Sequence, residues 1–207
     1  MIGQLIMATS WTAAYALIIH RSFRDKTHGM PFPALCFNIA WEGMMLFLLE
    51  RGSLIWYVVL LWFLLDGVIL LQYFAYARPK ERSTFSTPRE RLFWISSLAL
   101  LAVGIGTTIT VTIRFDDSSG AISAYSMNAL MSILFCTMLL KRNSLEAQGL
   151  YIAILKFLGT AITFTYIDLT DPLILWFGVV IAFFDLSYIA LVCMIGKRDG
   201  IKLLLRI

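Results

Sequence analysis

The sequence predicts an all-α integral membrane protein: a seven-transmembrane-helix bundle with its N-terminus outside and its C-terminus in the cytoplasm. Three observations carry that prediction. The first is composition: 59% of the 207 residues are hydrophobic and the mean hydropathy is +0.80, whereas soluble domains are about 45–50% apolar. The second is length. Seven apolar runs recur, each near the roughly 20 residues that cross ~30 Å of hydrocarbon, and lipid forces such runs to be helical because nothing else satisfies their backbone groups. The third is charge. Of the 17 Lys and Arg, fourteen lie in the loops after spans one, three and five and in the C-terminal tail; two lie in the other loops, and Lys156 lies within a span. The positive-inside rule then fixes the orientation, and it agrees with an odd number of spans.

The first span is expected over Gln4–His20. No basic n-region and no A-x-A-like cleavage site accompanies it, so it reads as a retained helix. The second, Phe32–Leu49, carries Asn38, Trp41 and Glu42 at i, i+3 and i+4 on one face. Glu42 lies ~15 Å from the cytoplasmic end of its span, near mid-membrane. A charge there costs roughly 2.5–3.5 kcal/mol, so the carboxyl favours its neutral form unless a cation sits close. A neutral carboxylic acid in a dry cavity can donate a proton; the structural alternative is a hydrogen bond to a neighbouring helix. Glu50, near the end of this span, is a further ionisable residue in an apolar stretch.

The third span, Leu54–Tyr76, places Trp62, Asp66 and Tyr73 on one face. Trp56 and Tyr57 at its start, and Trp94 in the fourth span (Arg91–Ile113), read as interfacial anchors. The following loop contains Asp116-Asp117, which is no DDxxD magnesium motif because Ser119 and Gly120 follow. The fifth span is Ala121–Leu140 and the sixth Ala147–Ile167. The sixth presents Lys156, Thr160 and Thr163 on one face; Lys156 either pairs with one of the intramembrane acids, snorkels to the cytoplasmic side or meets substrate. The seventh, Pro172–Ile195, starts with Asp171 as cap and Pro172 at the first helical position. It holds Asp185 and Tyr188 one turn apart. Phe63-Leu-Leu-Asp66 is faintly echoed by Phe183-Phe-Asp185, so spans one to three could repeat as five to seven around span four. The whole chain, 1–207, is expected to be one transmembrane domain.

Cys36, Cys136 and Cys193 are dispersed in apolar runs and form neither a disulfide framework nor a metal cluster. No basic patch is interleaved with stacking aromatics, which speaks against nucleic-acid binding. Aromatic residues make up 14% of the chain, and Trp41, Trp62 and Tyr188 sit mid-span beside the acids. An acid and aromatic rings in a water-poor chamber are what carbocation chemistry needs. The acid starts the reaction, ring faces stabilise positive charge, and dryness prevents quenching.

Asn38-Ile-Ala-Trp41-Glu42, Trp62-Phe-Leu-Leu-Asp66 and Asp185-Leu-Ser-Tyr188 resemble segments of the small integral-membrane terpene cyclases, the fungal meroterpenoid and indole-diterpene cyclases and their bacterial relatives. Ser144-Leu-Glu-Ala-Gln148, with Lys156 and Gly159-Thr160, is similar to that family's sixth span. The resemblance implies class II-like, metal-independent cyclisation of a prenyl chain, with the two acidic residues at Glu42 and Asp185 and no cofactor. Soluble class II enzymes use a DxDD motif, which this chain lacks. The resemblance implies a lipophilic isoprenoid conjugate that enters from the bilayer. The expected lining comprises Asn38, Trp41, Trp62, Asp66, Tyr73, Lys156 and Tyr188. The competing reading is a proton-coupled small-molecule transporter, in which the same acids relay protons. A retinal protein would need a Schiff-base lysine, and Pro172–Ile195 contains none.

Overall fold

The structure is a computed structural model that describes residues 2–77, 88–167 and 169–205. Arg78, Lys80, Arg82 and Arg206, which contribute to the charge bias, lie outside the described residues. Among the described residues seven α-helices follow one another: α1 (Ile2–Asp25), α2 (Phe32–Leu48), α3 (Leu54–Ala77), α4 (Pro88–Phe115), α5 (Ala121–Arg142), α6 (Leu150–Ala161) and α7 (Pro172–Arg198). A 3-10 turn, Ile162–Thr165, prolongs α6, and a second closes the described tail at Leu203–Leu205. No strand occurs among the described residues.

Helices α1, α3, α4, α5 and α7 are long and apolar enough to cross a membrane. The other two fall short of the expected length. α2 has 17 residues, about 26 Å at 1.5 Å per residue. It is bounded by extended backbone at Pro31 and Leu49. α6 has 12 residues and reaches a similar length only with its 3-10 turn. It begins three residues later than the sequence predicts, because Ala147 has φ 52 and Gly149 is extended.

The stretch before α6 is instead a buried connection, and buried backbone needs partners. The Ala147 N–H donates to Asp25 Oδ2 at 2.8 Å. Gln148 Nε2 donates to the Gly29 carbonyl at 2.6 Å, and the Tyr188 hydroxyl donates to Gln148 Oε1. Arg21, only 1% exposed, reaches Asp25 at 3.1 Å and the Gln148 carbonyl at 3.4 Å. These bonds tie the end of α1 to α7.

Side-chain caps fix two starts. Asp171 accepts from the Leu173 and Ile174 N–H groups at 2.8 and 3.4 Å, with Pro172 first in α7, as the sequence predicts. Asp117 accepts from the Ile122 and Ser123 N–H groups at 3.2 and 2.8 Å and from the Ser123 hydroxyl at 2.7 Å. One half of the Asp116-Asp117 pair thus accepts from the first amides of α5, whose N-cap residue is Gly120.

α1 packs on α3 and α6, α2 on α3, α4 and α5, and α7 on α5 and α6. Set spans one to three against five to seven and the contacts correspond: α1–α3 to α5–α7, α2–α3 to α6–α7, and α1–α6 to α5–α2. The arrangement follows the three-one-three echo, with α4 between the halves. α4 lies at the margin, closely applied to α2: a Cβ at Gly104 would come 2.9 Å from the Cys36 carbonyl oxygen. In lipid, such close backbone approach and buried polar contacts do the work that hydrophobic burial does in water. Outward faces are apolar, as at Leu98, Ile105, Leu175 and Phe183. Cys193 is exposed there too, whereas Cys36 and Cys136 are buried.

Candidate active site

α1 and α5 face each other across a cavity of about 580 Å³, including its open mouth, that α2, α3 and α6 complete. Its wall is largely aromatic and thioether: Trp11, Trp41, Trp62, Met7, Met127 and Met131. Each of two indoles is held by its N–H, Trp41 to the Gly120 carbonyl at 3.0 Å and Trp62 to Thr12 Oγ1 at 3.0 Å. Trp11 lies flush on α6 because Gly159 has no side chain; a Cβ there would stand 2.7 Å from Trp11 Cδ1. Tyr15 meets Trp62 edge-on at 6.5 Å. Anchored rings of this kind present fixed π faces to a cation.

Two polar clusters border this cavity from opposite sides. On the first side Glu42, Asn38 and Tyr15 reach its surface. Asn38 Nδ2 donates to Tyr15 Oη at 2.6 Å, and the Tyr15 hydroxyl donates to Glu42 Oε1 at 3.4 Å. Asp66, 0% exposed, lies behind them against Glu42 and Asn38. Glu42 Oε2 and both Asp66 oxygens are buried without a well-formed hydrogen bond.

On the second side Tyr125, Asn128, Thr160 and Thr163 reach the surface. Behind them Lys156 Nζ contacts Asp185 Oδ1 at 2.6 Å, Ser132 Oγ at 2.6 Å and Asn128 Oδ1 at 3.2 Å. Asn128 Nδ2 then donates to Thr160 Oγ1 at 2.8 Å. Thr163 gives its hydroxyl proton to the Thr160 carbonyl at 2.6 Å, so the Tyr125 hydroxyl is the donor to Thr163.

Asn38, Trp41, Trp62 and Glu42 therefore share the cavity. Five other residues, Asp185, Lys156, Tyr188, Tyr73 and Glu50, lie elsewhere than in this lining. Glu42 and Asp185 do not form one acid centre, because α2 packs toward α3 and α5 while α7 turns Asp185 toward α6. Lys156 pairs with Asp185 and stands behind the lining, with Trp11's ring centroid 5.7 Å away. Tyr188 is 0% exposed; it binds Gln148 and packs on Phe135 at 5.3 Å, away from the cavity. Tyr73 shares a helix face with Trp62 but lies about 16 Å along the axis, stacked on Phe32 at 4.0 Å. Glu50 sits in the exposed turn after α2 rather than inside the bundle.

Sequence reasoning missed Trp11, Tyr15, Tyr125 and Asn128. Each is an aromatic or amide inside an apolar run, the same signal that picked out Asn38 and Trp41. Among the described residues no three His, Cys, Asp or Glu side chains are grouped to hold a metal ion.

Relatives in fungi match most of this chain. Asnovolin H synthase nvfL of Aspergillus novofumigatus is 25% identical over 203 residues, covering 89% of this chain and 81% of that one. Terpene cyclase pyr4 of Aspergillus fumigatus is 24% identical over 211 residues, covering 94% and 86%. Terpene cyclase penB of Penicillium crustosum is 28% identical over 187 residues, covering 82% and 75%. The family model described as Pyr4-like transmembrane terpene cyclases matches residues 2–198, and the chain belongs to that family.

Proposed function

We propose that this membrane terpene cyclase carries out class II-like, proton-initiated cyclisation of the prenyl chain of a lipophilic isoprenoid conjugate, at a terminal alkene or epoxide. One observation carries the reading: Glu42 is the carboxyl at the surface of an apolar cavity walled by three indoles. The prenyl chain fills the cavity and displaces water. The Glu42 O–H bond breaks, its proton bonds to the alkene carbon or epoxide oxygen, and the electron pair stays on the carboxylate. The cation passes from carbon to carbon as rings close, held over the Trp11, Trp41 and Trp62 faces. Loss of a proton ends the sequence, so the product is an isomer of the substrate.

In this reading Asp185 acts from behind the far wall. Its ion pair fixes Lys156, which orients Asn128 and, through it, Thr160 toward the substrate. The chain works as one transmembrane unit without a cofactor, its N-terminus exterior and C-terminus cytoplasmic in line with the charge bias. The substrate arrives from the bilayer.

The test is mass spectrometry of membranes carrying the protein, incubated with farnesyl- and geranylgeranyl-bearing substrates with and without a terminal epoxide. A product of unchanged mass and altered retention is expected, and Glu42→Gln should abolish it. Unchanged product from Glu42→Gln overturns the assignment of the acid. No isomer from any of these substrates overturns the cyclase reading for them. The three-one-three packing also favours a second reading, proton-coupled transport, which predicts uptake into proteoliposomes driven by a pH gradient.

A further inference from the structure

Two interior pairs of ionisable side chains occupy corresponding places in the two halves of the bundle. Between α6 and α7 the pair is Lys156 and Asp185, charge-compensated at 2.6 Å. Between α2 and α3 the residue that faces the aspartate is a second carboxyl, Glu42. Among the described residues neither Glu42 nor Asp66 forms an ion pair with a cation. Tyr15 and Asn38 supply the polar contacts there. Three of the four carboxyl oxygens, Glu42 Oε2 and Asp66 Oδ1 and Oδ2, are buried without a well-formed hydrogen bond, although Asn38 lies against Asp66. Two adjacent carboxylates cannot both ionise in a low-dielectric interior without a counter-charge. A proton on Asp66 is a donor that Glu42 can accept, and a proton on Glu42 removes the second charge.

We propose that Asp66 is the proton-holding partner of Glu42: both carboxyls stay neutral at rest, and the Asp66 O–H donates to Glu42. Only Glu42 reaches the cavity, so Glu42 gives up its proton and Asp66 keeps its own. The new Glu42 carboxylate then accepts two hydrogen bonds, from Asp66 and from the Tyr15 hydroxyl. Hydrogen bonds to a charge are stronger than those to a neutral group, so the pair favours the state after proton transfer over the state before it. Asp66 is thus a positioning residue for the acid. The proton released by the final cation restores the neutral pair. This inference rests on Glu42 being the initiating acid for its catalytic meaning, but the neutral pair itself does not.

The experiment has two arms. Infrared spectra of the purified full-length protein report the carbonyl stretch of neutral carboxylic acids, which shifts in D₂O. Glu42→Gln and Asp66→Asn should each remove one such contribution. This arm needs no substrate, so it decides the pair even where no cyclised product is found. In the activity arm, Asp66→Asn keeps an N–H donor toward Glu42 and should retain most turnover. Asp66→Leu, branched at the same atom but without a donor, should lose roughly ten- to hundredfold, the worth of one hydrogen bond to a charge. Loss of no neutral-carboxyl signal in Asp66→Asn overturns the proposal. Full turnover in Asp66→Leu, or equal loss in the two Asp66 variants at matched melting temperature, overturns it as well.

Discussion

Replacing Lys156 by Met tests what the buried ion pair contributes to the fold. The ammonium makes three polar contacts, at 2.6 Å to Asp185, 2.6 Å to Ser132 and 3.2 Å to Asn128. Methionine keeps most of the volume and none of the donors. Asp185 is 0% exposed and its other oxygen, Oδ2, already lacks a partner, so the variant strands a buried carboxyl. Removing one member of such a pair costs about 3–5 kcal/mol. At about 2–4 °C per kcal/mol for a chain of this length, the melting temperature should fall by roughly 6–20 °C. The assay is thermal unfolding in detergent, followed by tryptophan fluorescence and by recovery of the monodisperse peak. The double variant Lys156→Met/Asp185→Leu removes both charges and should regain most of the loss, because apolar replacement of a whole pair is often neutral. A single variant that melts with the wild type would refute the reasoning. So would a double variant as unstable as the single one, since packing rather than stranded charge would then be the cause.

Tyr15→Phe removes a donor to Glu42 and the acceptor of the Asn38 amide; it should lower turnover per folded molecule roughly ten- to hundredfold and cost about 1–3 kcal/mol of stability. Tyr188→Phe removes the bond to Gln148, outside the cavity, and should lose about 1–3 kcal/mol of stability while turnover per folded molecule is kept. Gly159→Ala places a Cβ 2.7 Å from Trp11 Cδ1, which drives the indole into the cavity; an altered product ratio by chromatography is expected, with about 1–3 kcal/mol of overpacking. His28 stands edge-on to Tyr73 at 5.3 Å, and burial, then the charge of Arg142, lowers its pKa from 6.5 to about 4. The fold therefore holds the neutral imidazole, so this contribution to stability is complete above about pH 6.5 and drains away as the pH falls toward 4. The melting temperature of the wild type should decline across that window more steeply than that of His28→Phe; parallel curves would exclude the imidazole as the cause.

The seven helices were legible because each span is a local property. Leu54, Ala121 and Pro172 begin α3, α5 and α7 where composition and caps place them. The sixth span was misjudged at Ala147 for a tertiary reason. Hydropathy counts Ala147–Gly149 into the span, but Asp25, Gly29 and Tyr188 capture the polar groups of Ala147 and Gln148 from other parts of the chain. Arg21 escaped notice for the same cause: at the sequence level it is one more basic residue beside a loop, and only packing buries it.

The site divides along the same line. Hydrophobic length and the cost of intramembrane charge are written along one dimension. From the sequence alone it followed that the chain is a membrane-embedded helical bundle and that Glu42, Asp66, Lys156 and Asp185 are interior. Helical periodicity adds which residues share a face, as it did for Asn38, Trp41 and Glu42. It does not say which neighbour that face meets. Whether Lys156 would join Glu42, Asp66 or Asp185 depended on the rotation of α6 against α7, and that choice left two carboxyls together on the other side. Tyr73 and Tyr188, each in register with an acid, are drawn off by Phe32 and Gln148 at the other end of the bundle. Partnership of charges across helices is set by packing in three dimensions, and only the tertiary structure decided it.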